Sequence, residues 1–258
     1  MSARRRNWLG ALFLLLAAPL LTAQREPVLV PEVSQSRIEV RQGFTGANLL
    51  LYGAVIDPAG PVRDTAYDIV VVLKGPTEPI RLREKDRIAG IWMNAGSSDF
   101  RSAPSFFAVS SSRPIEQIVD PRTAAIYELG TEFIQLSPTG QIEPAEQARY
   151  ARGLVETRER AGLYSEDASG VRISEGVLYQ ARIALPSNVT TGRYTAETFA
   201  IANGRVLASA TADIEVVKVG LEGTVVYFAD RYALFYGLGA IALSLFMGWL
   251  AGRLFARG

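Results

Sequence analysis

The chain has no cysteine and no histidine. Without cysteine it forms no disulfide, holds no thiolate-ligated cluster and offers no thiol nucleophile. The missing histidine removes the commonest general base near neutral pH and the commonest transition-metal ligand. A Ser-His-Asp hydrolase, a zinc enzyme and a histidine-ligated haem protein are excluded on that ground. Chemistry by carboxylates alone, as in glycoside hydrolysis or Ca²⁺ binding, survives it. Asp57, Asp64 and Asp68 lie near one turn, while Glu84, Asp86, Asp99 and Asp120 are scattered. None of them builds a D-x-D-x-D-G calcium loop, and no P-loop or dinucleotide fingerprint occurs. The net charge of +1 lacks the basic excess expected of a nucleic-acid binder. These residues imply no metal, no cofactor and no catalytic group, and the expectation is a protein that is not an enzyme.

What the chain does have is two apolar ends. Tyr232–Gly252 runs without a charge, and as a helix it would be about 31 Å long. That matches a hydrocarbon core of ~30 Å, where only a helix or a closed barrel satisfies its own backbone. The span is placed at residues 231–252. At the other end Arg4, Arg5 and Arg6 precede an apolar run from Trp8 to Leu21, closed by Leu21-Thr22-Ala23. A basic start, a short apolar run and small residues describe a signal peptide over residues 1–23. Arg5-Arg6-Asn7-Trp8-Leu9 is a loose match to a twin-arginine signal. An exported domain over residues 24–230 follows, periplasmic in a bacterium, with a cytoplasmic tail at 253–258. Arg253 and Arg257 agree with the positive-inside tendency, and Tyr227, Phe228, Tyr232 and Trp249 suit aromatic belts.

Between the ends the pattern is of strands. Ser36–Val40 alternates, Asn48–Ile56 and Tyr67–Lys74 are apolar runs, and Ile80–Arg87 alternates again. Asp57-Pro58-Ala59-Gly60 and Gly75-Pro76 punctuate them as turns. Ile88–Met93 and Ser105–Ser110 read as two further short strands. Pro114–Val119 reads as a turn or two of helix, and Pro144–Arg160 as an amphipathic helix stopped at Gly162. Its apolar stripe is Ala148, Ala151, Leu154 and Val155, with Arg149, Arg152, Glu156, Arg158, Glu159 and Arg160 in water. Strands return at Val171–Ile173, Val177–Leu185, Arg193–Ile201 and Arg205–Val217, the last two joined by Ala202-Asn203-Gly204. Asn-Gly is a strong hairpin signal because a type I′ turn needs positive φ twice. Pro186 to Tyr194 resembles the turn and tyrosine that lead into a late strand of immunoglobulin-like sandwiches. The expected fold is mainly β: an immunoglobulin-like β-sandwich, as one domain or as two subdomains around a small helical insert at about 112–162, plus one C-terminal transmembrane helix.

Two features could carry binding. Arg81, Arg83, Lys85 and Arg87 alternate, so on a strand they share one face, with Trp92 and Asn94 close behind. Guanidinium forks bind sulfo- and phospho-groups, so the row suits a small anion or an acidic partner. The same pattern also fits a solvated edge strand whose charges discourage edge-to-edge pairing. In the membrane span Ala240, Ser244, Gly248 and Gly252 place small side chains on one stripe, which lets helices approach closely. That points to a homodimer or a multi-span membrane partner.

The stretches VPEVSQSRIEVRQGFTGANLLLYGAV (Val30–Val55, counted from Val30), YDIVVVLKGP (Tyr67–Pro76), REKDRIAGIWMN (Arg83–Asn94) and PSFFAVSSSRPI (Pro104–Ile115) resemble a family of alphaproteobacterial transmembrane proteins without an assigned function. The resemblance implies the same layout of signal, exported domain and span. Its members are often encoded near sulfite-exporter-type permeases, which implies an accessory role in export of sulfur oxyanions, and it supplies no catalytic residues. Three readings stand at this point: an accessory subunit of a permease, a membrane-anchored periplasmic enzyme using carboxylates, and a self-associating envelope protein.

Overall fold

In the computed structural model, residues 27–56, 67–88, 90–219 and 229–255 are described. The signal peptide, Asp57 to Gly60, Asp64, Tyr227, Phe228 and Arg257 lie outside them.

The strands are β1 (Val28–Val33), β2 (Arg37–Val40), β3 (Gly46–Ile56), β4 (Asp68–Lys74), β5 (Thr77–Ile88) and β6 (Ile91–Pro104). β7 (Phe107–Ser111), β8 (Tyr164–Asp167), β9 (Val171–Ser174), β10 (Leu178–Pro186), β11 (Gly192–Ala202) and β12 (Arg205–Lys218) complete the set. One sheet has the order β1-β3-β10-β9, the second β2-β12-β11-β4-β7-β8, and β5 and β6 pair as a separate hairpin. Matched to an immunoglobulin domain, the first sheet is A-B-E-D, and β12-β11-β4-β7 is G-F-C-C′. β2 lies parallel beside the last strand, and β8 lies parallel beside β7. The immunoglobulin-like expectation therefore holds at the level of strand order.

Local chemistry explains several elements. β4 is buried along Ile69–Leu73 because it is central in its sheet and covered on both faces. Val70, Val72 and Lys74 share the side that lies under the helical insert, where Lys74 pairs with Glu128 at 2.8 Å and Tyr127 meets Phe199 edge-on at 5.4 Å. Asn203 (φ 52) and Gly204 (φ 75) make the turn between β11 and β12 with positive φ at both positions, as a type I′ hairpin requires. The Tyr194 hydroxyl donates to the Thr190 carbonyl at 2.7 Å, which is the tyrosine corner of immunoglobulin-like folds. Burial pushes that hydroxyl up to about 12. Two residues on, where antibody domains carry the second cysteine of their inter-sheet disulfide, this chain has buried Ala196. The contact between the two sheets is dominated by apolar packing.

Between β7 and β8 lie α1 (Ile115–Ile118), α2 (Pro121–Tyr127), a 3-10 turn (Thr131–Phe133) and α3 (Pro144–Arg160). α2 was not expected, although its signal is present: Asp120 caps it by accepting from the Arg122 and Thr123 amides, and Pro121 opens it. α3 has the expected bounds and ends at Gly162 (φ 70), with Leu163 N–H on the Arg158 carbonyl and Gly162 N–H on that of Glu159. These two bonds are the Schellman pair. Its buried face differs from the expected stripe: Tyr150 and Leu154 are buried and Ala148 is exposed. Arg158 is not left in water but pairs with Glu78.

The expected short strand Ile88–Met93 does not exist. The chain turns there, and Ile91 begins a strand that continues to Pro104. The final helix, α4 (Ala233–Phe255), starts after Tyr232 and extends past Gly252.

Candidate functional site

The β5–β6 hairpin is the insertion between the C and C′ strands, and its base is built into the body. Ile80 and Leu82 are half-buried, Phe100 is buried against Tyr150 of α3 with ring centres 6.0 Å apart, and the Arg101 amide bonds the Ser137 carbonyl. Arg149 approaches Glu84 at 3.5 Å. Pro79, which has no N–H to give to the ladder, sits at an irregularity between the Glu78 and Ile80 pairs. From Lys85 to the tip, the side chains of the hairpin make no hydrogen bond or ion pair to described residues outside it. It ends at Gly90 (φ 87), and Ile91, Trp92 and Met93 stand 67, 67 and 50% exposed.

Register decides which residues meet. Arg81 faces Asp99, Arg83 faces Ser97, Lys85 faces Asn94 and Arg87 faces Trp92. Directly opposed residues of an antiparallel pair share a face, so all six expected binding residues come to one side of the hairpin. An extra residue on β6, Ala95, forms a bulge between the Glu84 and Lys85 pairs and keeps this match on both sides of it. Asp86 and Met93 share the opposite side. The four cations are not equivalent. Arg81 grips Asp99 with both forks, at 2.6 and 2.8 Å, and is already neutralised. That hydrogen-bonded pair holds the Asp99 carboxyl below the usual carboxylate range. Arg87 donates to the Gly90 carbonyl at 3.1 Å and so braces the turn. Arg83 and Lys85 have no hydrogen bond or ion pair to another described side chain, and they are the cations left to bind something else.

Asp68 and Asp120, two of the acidic residues singled out above, have structural partners. Asp68 accepts from Arg113 (2.6 Å) and Ser112 (2.9 Å). Burial alone would push its carboxyl up, but those bonds outweigh it and hold it below its ordinary value. Asp120 is a helix cap. Among the described residues no group of three or more acidic side chains could hold a metal ion.

α4 is the one helix among the described residues long and apolar enough to cross a membrane, and none of it is buried against the rest of the chain. Ala240, Ser244, Gly248 and Gly252 follow one another every four residues along it, with the Ser244 hydroxyl bonded back to the Ala240 carbonyl at 2.9 Å. Trp249 takes the Arg253 guanidinium over its ring at 5.3 Å.

The family model described as "Putative transmembrane protein (Alph_Pro_TM)" matches residues 28–257. The chain belongs to this family. It is a membrane protein, mainly β, with one C-terminal membrane-spanning helix. No curated protein matches it. Among solved structures it is similar to the N-terminal domain of the Streptococcus gordonii adhesin Sgo0707, at 13% identity over 77% of this chain and a TM-score of 0.23. The match spans about a third of that structure (34%) and is too slight to carry an argument.

Two surfaces escaped the sequence reading. Ile91 and Met93 complete the hairpin tip, whereas the sequence pattern places both in a short strand, Ile88–Met93. Val28, Val30, Tyr52, Ile56 and Leu178 form an exposed apolar area on the outer side of the A-B-E-D sheet. The signal for the second was faint, because strands with apolar residues on both faces look like central strands.

Proposed function

We propose that this is a single-span inner-membrane protein whose periplasmic immunoglobulin-like domain binds and assembles rather than catalyses. Its α4 stripe docks against a multi-span membrane protein, as an accessory subunit of a permease. The hairpin presents its basic face to an acidic or anionic group, and export of sulfur oxyanions is the setting that the family resemblance favours.

The observation that carries this reading is the hairpin face. Arg83 and Lys85 are free of ion pairs to described residues, flanked by Trp92 and Asn94, on a strand pair held rigid at its base. Guanidinium and ammonium groups left without an internal partner suit anions, which they hold by charge-assisted hydrogen bonds. The stripe of α4 supports close helix approach, since small side chains let backbones come together.

The test is purification of the C-terminally tagged protein in mild detergent, with mass spectrometry of what accompanies it. A stoichiometric multi-span protein, lost on Gly248→Leu while the β domain stays folded, is the expected result. Recovery of the protein alone, or of a partner indifferent to Gly248→Leu, overturns the accessory role.

A further inference from the structure

The hairpin and the membrane helix leave the β domain at one end. β11 pairs with β12 at Gly192↔Val216 and with β4 at Thr195↔Lys74. The ends of β4 and β12 therefore lie at the same edge of the sandwich. From the first the chain passes through Gly75-Pro76 into the hairpin, and from the second it passes Lys218 towards α4. Pro76 sits against Gly192, where a Cβ would come within 3.0 Å of its ring. Residues 219–232 connect Lys218 to Ala233, and even fully extended they reach only roughly 50 Å. The hairpin arm itself is about 40 Å long at ~3.3 Å per residue. A bilayer anchored through α4 thus lies within reach of the hairpin tip.

The tip has the composition of a membrane-surface contact. Ile91 and Met93 on one face and Trp92 on the other stand well exposed, which leaves apolar surface in water with no internal partner among the described residues. Tryptophan favours the layer between headgroups and acyl chains, with its ring in the apolar zone and its N–H in the polar one. Immediately behind it on the same face come Arg87, Lys85 and Arg83, at the level where lipid phosphates would stand. Basic residues held at an anionic lipid surface are drawn to its phosphates. Asp86 and Glu84 occupy the other face, so attraction to the surface is one-sided and would fix the roll of the hairpin.

We infer that the β5–β6 hairpin is a second membrane contact: Ile91, Trp92 and Met93 enter the headgroup layer of the bilayer that α4 spans, and Arg83 and Lys85 bind the phosphates of its lipids. The inference deepens the anion-binding reading of the hairpin by naming lipid phosphate as the anion, and it does not depend on a permease partner. The two contacts together would set the height and tilt of the domain above the membrane.

The experiment uses full-length protein with Trp8→Phe and Trp249→Phe, so that Trp92 is the sole tryptophan, reconstituted in nanodiscs of phosphatidylethanolamine and phosphatidylglycerol. The expected result is Trp92 emission shifted to the blue relative to detergent-free aqueous exposure, quenched by nitroxide-labelled headgroup lipid and shielded from acrylamide. In the Arg83→Glu/Lys85→Glu variant most of the lipid quenching should be lost, and nanodiscs of phosphatidylcholine alone should show less of it. Trp92 that stays open to acrylamide and blind to the lipid label overturns the inference. So does shielding that appears only when a co-purified protein is added, which would assign the tip to a protein partner. Loss of lipid quenching with the Gly248-dependent partner retained removes the lipid contact alone; loss of the partner with quenching retained removes the accessory role alone.

Discussion

β4 and β5 follow one another in the chain, separated by Gly75 and Pro76, and their fates are opposite. β4 has strands on both sides, the A-B-E-D sheet against one face and the helical insert against the other, and its five central residues are buried. β5 has one neighbour, and past Glu84 neither of its faces is covered. The first segment is shaped by what it packs against and the second by what it presents. An apolar residue in β4 is there for cohesion, whereas Ile91, Trp92 and Met93 at the tip of the hairpin stand in water, open to contact.

The contrast can be broken most strongly from the core side. Phe107, at the start of the strand paired with β4, is buried edge-on to Tyr164 at 6.0 Å. Replacing Phe107 with alanine should destabilise the domain by about 3–5 kcal/mol, read as a lowered midpoint in urea with an unchanged slope. A loss under ~1 kcal/mol would show that this end of the sandwich is not the shared core.

A middle-sized effect is expected at the start of β4. Asp68→Asn gives up the charge of the fork held by Arg113, a partly exposed pair worth about 1 kcal/mol once solvent screening is allowed for. The carboxyl is held below its ordinary value in the folded state, so its contribution is present above the unfolded value of ~3.9. It is lost as the pH falls through the folded value. Wild type should therefore be the more stable at pH 7, and the gap should close below about pH 4. A gap that persists in acid would assign the effect to packing instead.

The smallest effect belongs to the tip. Trp92→Ser should change the stability of the domain by no more than about 0.5 kcal/mol, as for a surface position away from any packing feature. Thermal unfolding of the two proteins checks this, and a larger loss would mean that the tip is folded against the body.

Much of this was legible in the chain. The Asn203-Gly204 turn, the tyrosine corner at Tyr194 and the Gly162 stop each depend on residues a few positions apart, so local pattern was enough. α2 has an equally local signal in Asp120-Pro121. β6 was not legible. Its middle, Ala95-Gly96-Ser97-Ser98, has little intrinsic preference for a strand, and it is extended because β5 supplies the ladder. The binding face was half legible. Alternation placed four cations together, but the Arg81–Asp99 pair and the bracing of the turn by Arg87 come from residues across the hairpin.

By itself the sequence determined the membrane span, because lipid requires an uncharged, self-satisfied helix of one length and Tyr232–Gly252 meets that requirement without help from any other residue. It also determined the Asn203-Gly204 turn and the helix stop at Gly162. Only the tertiary structure decided that the strands order as an immunoglobulin-like sandwich, which two cations remain free, and that the hairpin and the anchor share one end. Those outcomes rest on register and strand order between segments far apart in the chain, and pairing energies of that kind have no local signature.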